Sequence, residues 1–135
     1  MKVKNVKIFA ITLTLLVLSW LVVIAEAGGG ITVKIFNRSN NVLYEDCYSK
    51  DDNLGLHELQ PGEFHAFSFN PNIWGTTKFW CALSFGDSSL QKHIMAYKYR
   101  RDSSVCGVEC EWYLSEANAC HWNPIKNRED CSNYW

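Results

Sequence analysis

Apolar residues recur at every second position in several short runs of this chain, the period of a strand with one buried face. Ile31–Ile35 alternates strictly and ends at the turn-rich Asn37–Asn41. Val42–Tyr48 resumes the pattern, which predicts a hairpin with the first run. Phe64–Phe69 puts His65, Phe67 and Phe69 on one face. Lys78–Phe85 gathers Phe79, Cys81, Leu83 and Phe85, with Trp80, Ala82 and Ser84 opposite. Lys92–Tyr99 follows, then a run in which Cys110, Trp112 and Leu114 share a face, and Ala119–Trp122 is a short last strand before Pro124. Between them lie the polar, turn-forming stretches Ser49–Gly55, Gln60–Glu63, Asn70–Gly75, Gly86–Ser89 and Arg100–Ser104. No amphipathic helical window of about 12 residues survives beyond the N-terminal stretch. The pattern predicts an all-β fold: a small, disulfide-stapled antiparallel β-sandwich of about six to eight strands.

The N-terminal stretch follows a different rule. Lys2, Lys4 and Lys7 precede an apolar run from Ile8 to Ile24, and Ala25-Glu26-Ala27 supplies the small-x-small pattern of a signal-peptidase site. Residues 1–27 are therefore expected to be a signal peptide, and residues 28–135 one secreted, extracellular domain with no membrane span after cleavage. The remaining chain carries a net charge of about −3, which excludes a binder of nucleic acid or anionic membrane by bulk charge. A monomer is expected.

All six cysteines, Cys47, Cys81, Cys106, Cys110, Cys120 and Cys131, fall in this part, which predicts an oxidised framework of three bridges. Four of the six crowd the C-terminal tail, so the tail is expected to staple the earlier strands. The pairing expected on that basis is Cys47–Cys120, Cys81–Cys110 and Cys106–Cys131. Cys106–Cys110 is disfavoured because four extended residues span about 13 Å, beyond the ~7 Å reach of a disulfide; a turn at Gly107 would relax this.

Candidate chemistry is sparse. A zinc site built on Cys106, Cys110 and His121 lacks paired C-x2-C knuckles, and no metal or other cofactor is expected. No nucleophile motif is present, so an enzyme would need His65, His93 or His121 to converge with a carboxylate as acid and base; a small secreted hydrolase is the alternative reading. Asp51-Asp52-Asn53 lacks the spacing of a calcium loop and reads as an Asx turn. Asn37-Arg38-Ser39 is a glycosylation sequon in an expected turn, which makes Asn37 a candidate glycosylation site. If strands are committed to the core, specificity belongs to loops, which singles out Asp51, Asp52, Asp87, Arg100, Arg101 and Asp102. The two arginines suit a partner's carboxylates, which their planar forks bind bidentately.

The ordered set Cys47-Tyr-Ser-Lys-Asp-Asp-Asn-Leu-Gly55, Leu59-x-Pro61-Gly62, Thr77-Lys-Phe-Trp-Cys81, Arg101-Asp102 and Cys106-x3-Cys110-x-Trp112 resembles the plant self-incompatibility S-protein homologues. Asp46 and Asn53 depart from it, standing where a histidine and an aspartate are common. The resemblance implies a small secreted β-sandwich, non-enzymatic, that signals by binding a protein receptor on another cell's surface. The best-known members of that family are pistil determinants that reject self pollen.

Overall fold

A computed structural model describes residues 30–135; the expected signal peptide lies outside the described residues. Nine strands form two sheets: β1 (Ile31–Asn37), β2 (Leu43–Tyr48), β3 (Asn53–Leu59), β4 (Phe64–Phe69), β5 (Lys78–Phe85), β6 (Lys92–Lys98), β7 (Glu109–Leu114), β8 (Ala119–Asn123) and β9 (Arg128–Ser132). A single helical turn, α1 (Tyr99–Asp102), follows β6. One sheet runs β4-β1-β7-β8-β9 and the other β3-β2-β5-β6. Every pairing is antiparallel except β1 with β7.

The alternation read from the sequence sets the inner faces. Ile31, Val33 and Ile35 of β1, Phe79, Cys81, Leu83 and Phe85 of β5, and Cys110, Trp112 and Leu114 of β7 are all buried in one core. Each large aliphatic or aromatic side chain among them contributes roughly 1.5–3 kcal/mol by leaving water. Trp112 also satisfies its indole, donating from Nε1 to Ala96 O at 2.8 Å, so an aromatic that bridges the sheets brings no orphaned donor with it.

One expectation about connectivity fails. β1 and β2 form no hairpin; they belong to different sheets. The chain crosses between the sheets at Asn37, which is buried at 1% exposure. Its Nδ2 donates to Asn41 O and to Leu59 O, both at 2.8 Å, while Oδ1 accepts from Ser39 N and Ser39 Oγ. The sequon asparagine is thus the internal brace of the crossing, and a glycan on Nδ2 is incompatible with these bonds. In addition, β3 and β9 occupy stretches read as loop. Both are edge strands, and β9 has no buried residue, so neither leaves an alternating trace.

The expected disulfide pairing is also overturned. The bonds are Cys47–Cys81, Cys106–Cys110 and Cys120–Cys131. Cys47 and Cys81 face each other across β2 and β5, and Cys120 and Cys131 across β8 and β9, each pair with Cα atoms 4.0 Å apart. Between Cys106 and Cys110 the chain turns at Gly107 (φ 63°), which shortens the Cα separation to 5.1 Å and removes the objection that assumed an extended run. The tail therefore staples nothing to the earlier strands. It is held by strand pairing of β7 along β1, extended by bonds from Thr32 N to Val108 O and Arg38 N to Leu114 O, both at 2.8 Å.

Candidate functional site

Three loops meet at one end of the four-stranded sheet. β2 ends at Tyr48 opposite Trp80 of β5, and Lys78 of β5 pairs with Lys98 of β6. The segments 49–52, 70–77 and 99–104 therefore emerge together. The first is a tight turn closed by Ser49 N to Asp52 O at 2.8 Å and Asp52 N to Ser49 Oγ at 3.0 Å. Next along the chain, Asn53 Oδ1 accepts from Gly55 N at 2.9 Å, the Asx turn that the sequence suggested.

The loop 70–77 carries exposed apolar residues that sequence reasoning did not single out. Asn72 organises it: Oδ1 accepts from Trp74 N and Thr76 N, Nδ2 donates to Thr76 Oγ1 at 2.9 Å, and its own N–H donates to Thr77 Oγ1 at 2.8 Å. Gly75 (φ 67°) lies flat on the Tyr99 ring; a Cβ there would stand 3.0 Å from Tyr99 Cδ1. The outcome is a well-braced loop that presents Ile73 at 90% and Trp74 at 77% exposure. Beside it lies a cleft of about 570 Å³, lined by Trp74, Trp80, Lys50, Asp51, Asp52 and Lys78 among others. Tyr48 and Trp80, stacked with centroids 5.9 Å apart, carry aromatic surface outward from the cleft. An apolar apex inside an Asn-Pro-Asn turn is the one clue that the sequence offered.

The other loop candidates separate. Asp51 and Asp52 are exposed at the cleft, and exposed Arg100 lines a smaller hollow on the far side of Gly75–Thr77. Asp87 is exposed but lies at the opposite end of β5, where Gly86 N bonds Val42 O. Asp102 does not face water: it is 1% exposed. Its carboxylate accepts from Lys98 N at 2.8 Å and from Arg101 Nε and Nη2 at 2.7 and 2.8 Å, and its carbonyl accepts from Val105 N and Cys106 N. Arg101 also donates to Met95 O at 2.7 Å and sits over the Trp112 ring. The pair thus fastens α1 to β6 and the Cys106 turn. Of the charged trio, Arg100 alone has a head group without such bonds among the described residues.

The histidines do not build one catalytic centre. His65 on β4 and His93 on β6 belong to different sheets. His93 packs near Trp135, and His121 against Trp112. Burial lowers the pKa of His121, opposed by the nearby Asp102 charge. His57 and His65 do meet, with rings stacked at 3.7 Å, beside the fully buried Glu45. Burial, reinforced by the Asp46 charge, pushes the Glu45 carboxyl up to about 7. His65 is lowered by burial and then by His57. This group stands inside the sandwich and lines neither surface hollow. Cys106 and Cys110, bonded to each other, offer no thiolate to His121.

Comparison with known proteins agrees with the fold. The sequence pattern of the family described as Plant self-incompatibility protein S1 matches residues 32–135. S-protein homolog 2 of Arabidopsis thaliana is 36% identical over 110 residues, 77% of this chain and 67% of that protein. S-protein homolog 21 of the same plant is 42% identical over 71 residues, spanning about half of either protein (50% and 53%). S-protein homolog 18 is 30% identical over 127 residues, 91% of each. None of these relatives bears an enzyme's name. A solved structure of self-incompatibility protein homologues, a widespread family of small, highly stable, secreted plant proteins, superposes with a TM-score of 0.56 at 19% identity. It covers 77% of this chain and 89% of that one. Among the described residues, no helix is long and apolar enough to cross a membrane.

Proposed function

Because this chain belongs to the plant self-incompatibility protein S1 family, we propose that it is a secreted, non-enzymatic recognition protein. Its partner is a protein on a cell surface, engaged through the loop end that carries Ile73 and Trp74. The observation that carries this reading is the bracing of that loop. A large apolar pair held in water by the bonds of Asn72 is already ordered before binding, so its burial loses little entropy, and tryptophan is prominent among interface residues that dominate affinity. The mixed charges of Lys50, Asp51, Asp52, Lys78 and Arg100 provide a polar rim. Secretion is supported by the leader pattern of residues 1–27 and the three disulfides, and the solved relatives are secreted. The hydrolase alternative is weakened, because His65, His93 and His121 do not converge on one another and the carboxylate beside His65, Glu45, is fully buried.

The test is saturable binding of the labelled mature protein to plant cells. Trp74→Ala should weaken it roughly tenfold or more with the circular dichroism unchanged, whereas Asp87→Ala at the far end should have no effect. Equal binding by wild type and Trp74→Ala would move the interface elsewhere.

A further inference from the structure

We propose that Glu45, His57 and His65 form a site for one divalent transition-metal ion of the zinc class, set between the two sheets. Glu45 on β2 is the register partner of His57 on β3, and His65 reaches them from β4 in the facing sheet. One ligating atom from each lies within 4.8 Å of the other two. Small side-chain rotations would bring such donors to the ~2.0–2.2 Å of a zinc shell.

The three side chains also lack something that a cation supplies. Glu45 is 0% exposed. Its Oε1 lies against His65 Nδ1, yet off the line that a hydrogen bond requires, so neither atom has a hydrogen-bond partner. Its Oε2 is 2.7 Å from Cys47 Sγ, which is bonded to Cys81 and has no hydrogen to give. A carboxylate removed from water without donors is strongly destabilised, and a metal ion between the oxygen and the imidazole lone pair answers both needs.

His57 is set up in the same sense. Its Nε2 lies 3.1 Å from Leu54 O. A carbonyl only accepts, so Nε2 carries the hydrogen and Nδ1 keeps its lone pair, the arrangement found in metal-bound histidines whose far nitrogen donates to a backbone carbonyl. Two imidazoles and one carboxylate suit zinc rather than calcium or magnesium, which prefer oxygen alone. His57 and His65 are half-buried, unlike the fully buried Glu45. The bound ion would also join β2 and β3 to β4. No disulfide makes that connection, since each lies within one sheet or one turn.

The experiment uses the oxidised mature protein, freed of metal with a chelator and titrated with Zn²⁺ in competition with a chromogenic chelator. The expected result is one bound equivalent and a thermal midpoint that rises with Zn²⁺. Co²⁺ should give the visible absorption of a four-coordinate site. Glu45→Gln and His57→Gln should each weaken binding roughly tenfold or more and abolish the thermal shift. His57 is half-buried on an edge strand, so that variant keeps the fold, as circular dichroism will check. Absence of stoichiometric binding by wild type overturns the proposal. So does binding that survives both substitutions, which would place the metal on surface groups such as His93, or an equal thermal shift with Ca²⁺.

Discussion

Arg101 and Asp102 look like the exposed tip of a charged loop in the sequence, and the structure makes them a test of burial against exposure. Arg101→Ala removes the two charge-assisted bonds to the Asp102 carboxylate and the bond to Met95 O. The carboxylate, 1% exposed, would keep only the Lys98 N–H. Stranding one member of a buried pair costs about 3–5 kcal/mol. The Arg101 side chain is 41% exposed, however, so water already screens the interaction, and about 2–3 kcal/mol is the expected loss. Arg100→Ala, one position away, should change stability by less than about 0.5 kcal/mol. Urea unfolding at pH 7 followed by tryptophan fluorescence measures both. The double variant Arg101→Ala/Asp102→Asn should recover part of the loss, because asparagine still accepts from Lys98 N and leaves no unpaired charge. If Arg101→Ala proves as stable as Arg100→Ala, or if the double variant is no better than the single one, the burial argument for Asp102 is wrong.

Three further outcomes follow from the same reasoning. Asn37→Ala should destabilise by about 2–4 kcal/mol, since it removes the side-chain donor to Leu59 O and the acceptor of Ser39 N at the sheet crossing, and endoglycosidase treatment of the secreted protein should leave its gel mobility unchanged. Non-reducing peptide mapping should recover Cys47 with Cys81, Cys106 with Cys110 and Cys120 with Cys131; any peptide joining Cys47 to the tail refutes this. His121 binds its proton less readily folded than unfolded, so its contribution is present above pH ~6.5 and is lost as pH falls through its lowered value, by up to about 1.4 kcal/mol per pH unit. His121→Gln should therefore show a shallower fall in stability between pH 7 and 5, and an unchanged slope would count against it.

What was legible in the sequence divides along physical lines. β1, β5 and β7 bury one full face, and their alternation is the direct imprint of that burial. β3 and β9 sit at sheet edges, where exposed and charged side chains protect unpaired backbone, so their residues read as loop. Pairing partners were not legible: the β1–β2 hairpin was inferred from adjacency, while Asn37 bonds that send the chain to the other sheet are invisible in a turn-forming pentapeptide. The disulfides failed for the same reason, since cross-strand opposition of Cys47 and Cys81 requires knowing that β2 lies beside β5. At the loop end, polarity singles out Asp51 and Asp52. Ile73 and Trp74 were passed over because their exposure depends on Asn72, a short-range brace that hydropathy does not register.

The placement of the cysteines has a consequence for how the protein matures. Cys47 and Cys81, like Cys120 and Cys131, are directly opposed partners in their ladders. A slip of one residue would turn one sulfur of a pair to the other face of its sheet, out of reach of its mate. Oxidation of these two pairs would thus require correct strand alignment and act as a proofreading step: a chain caught in a shifted register would keep free thiols. Under oxidising conditions such a chain would remain open to thiol exchange and another attempt at folding, whereas the aligned chain would withdraw its thiols from exchange and leave that cycle.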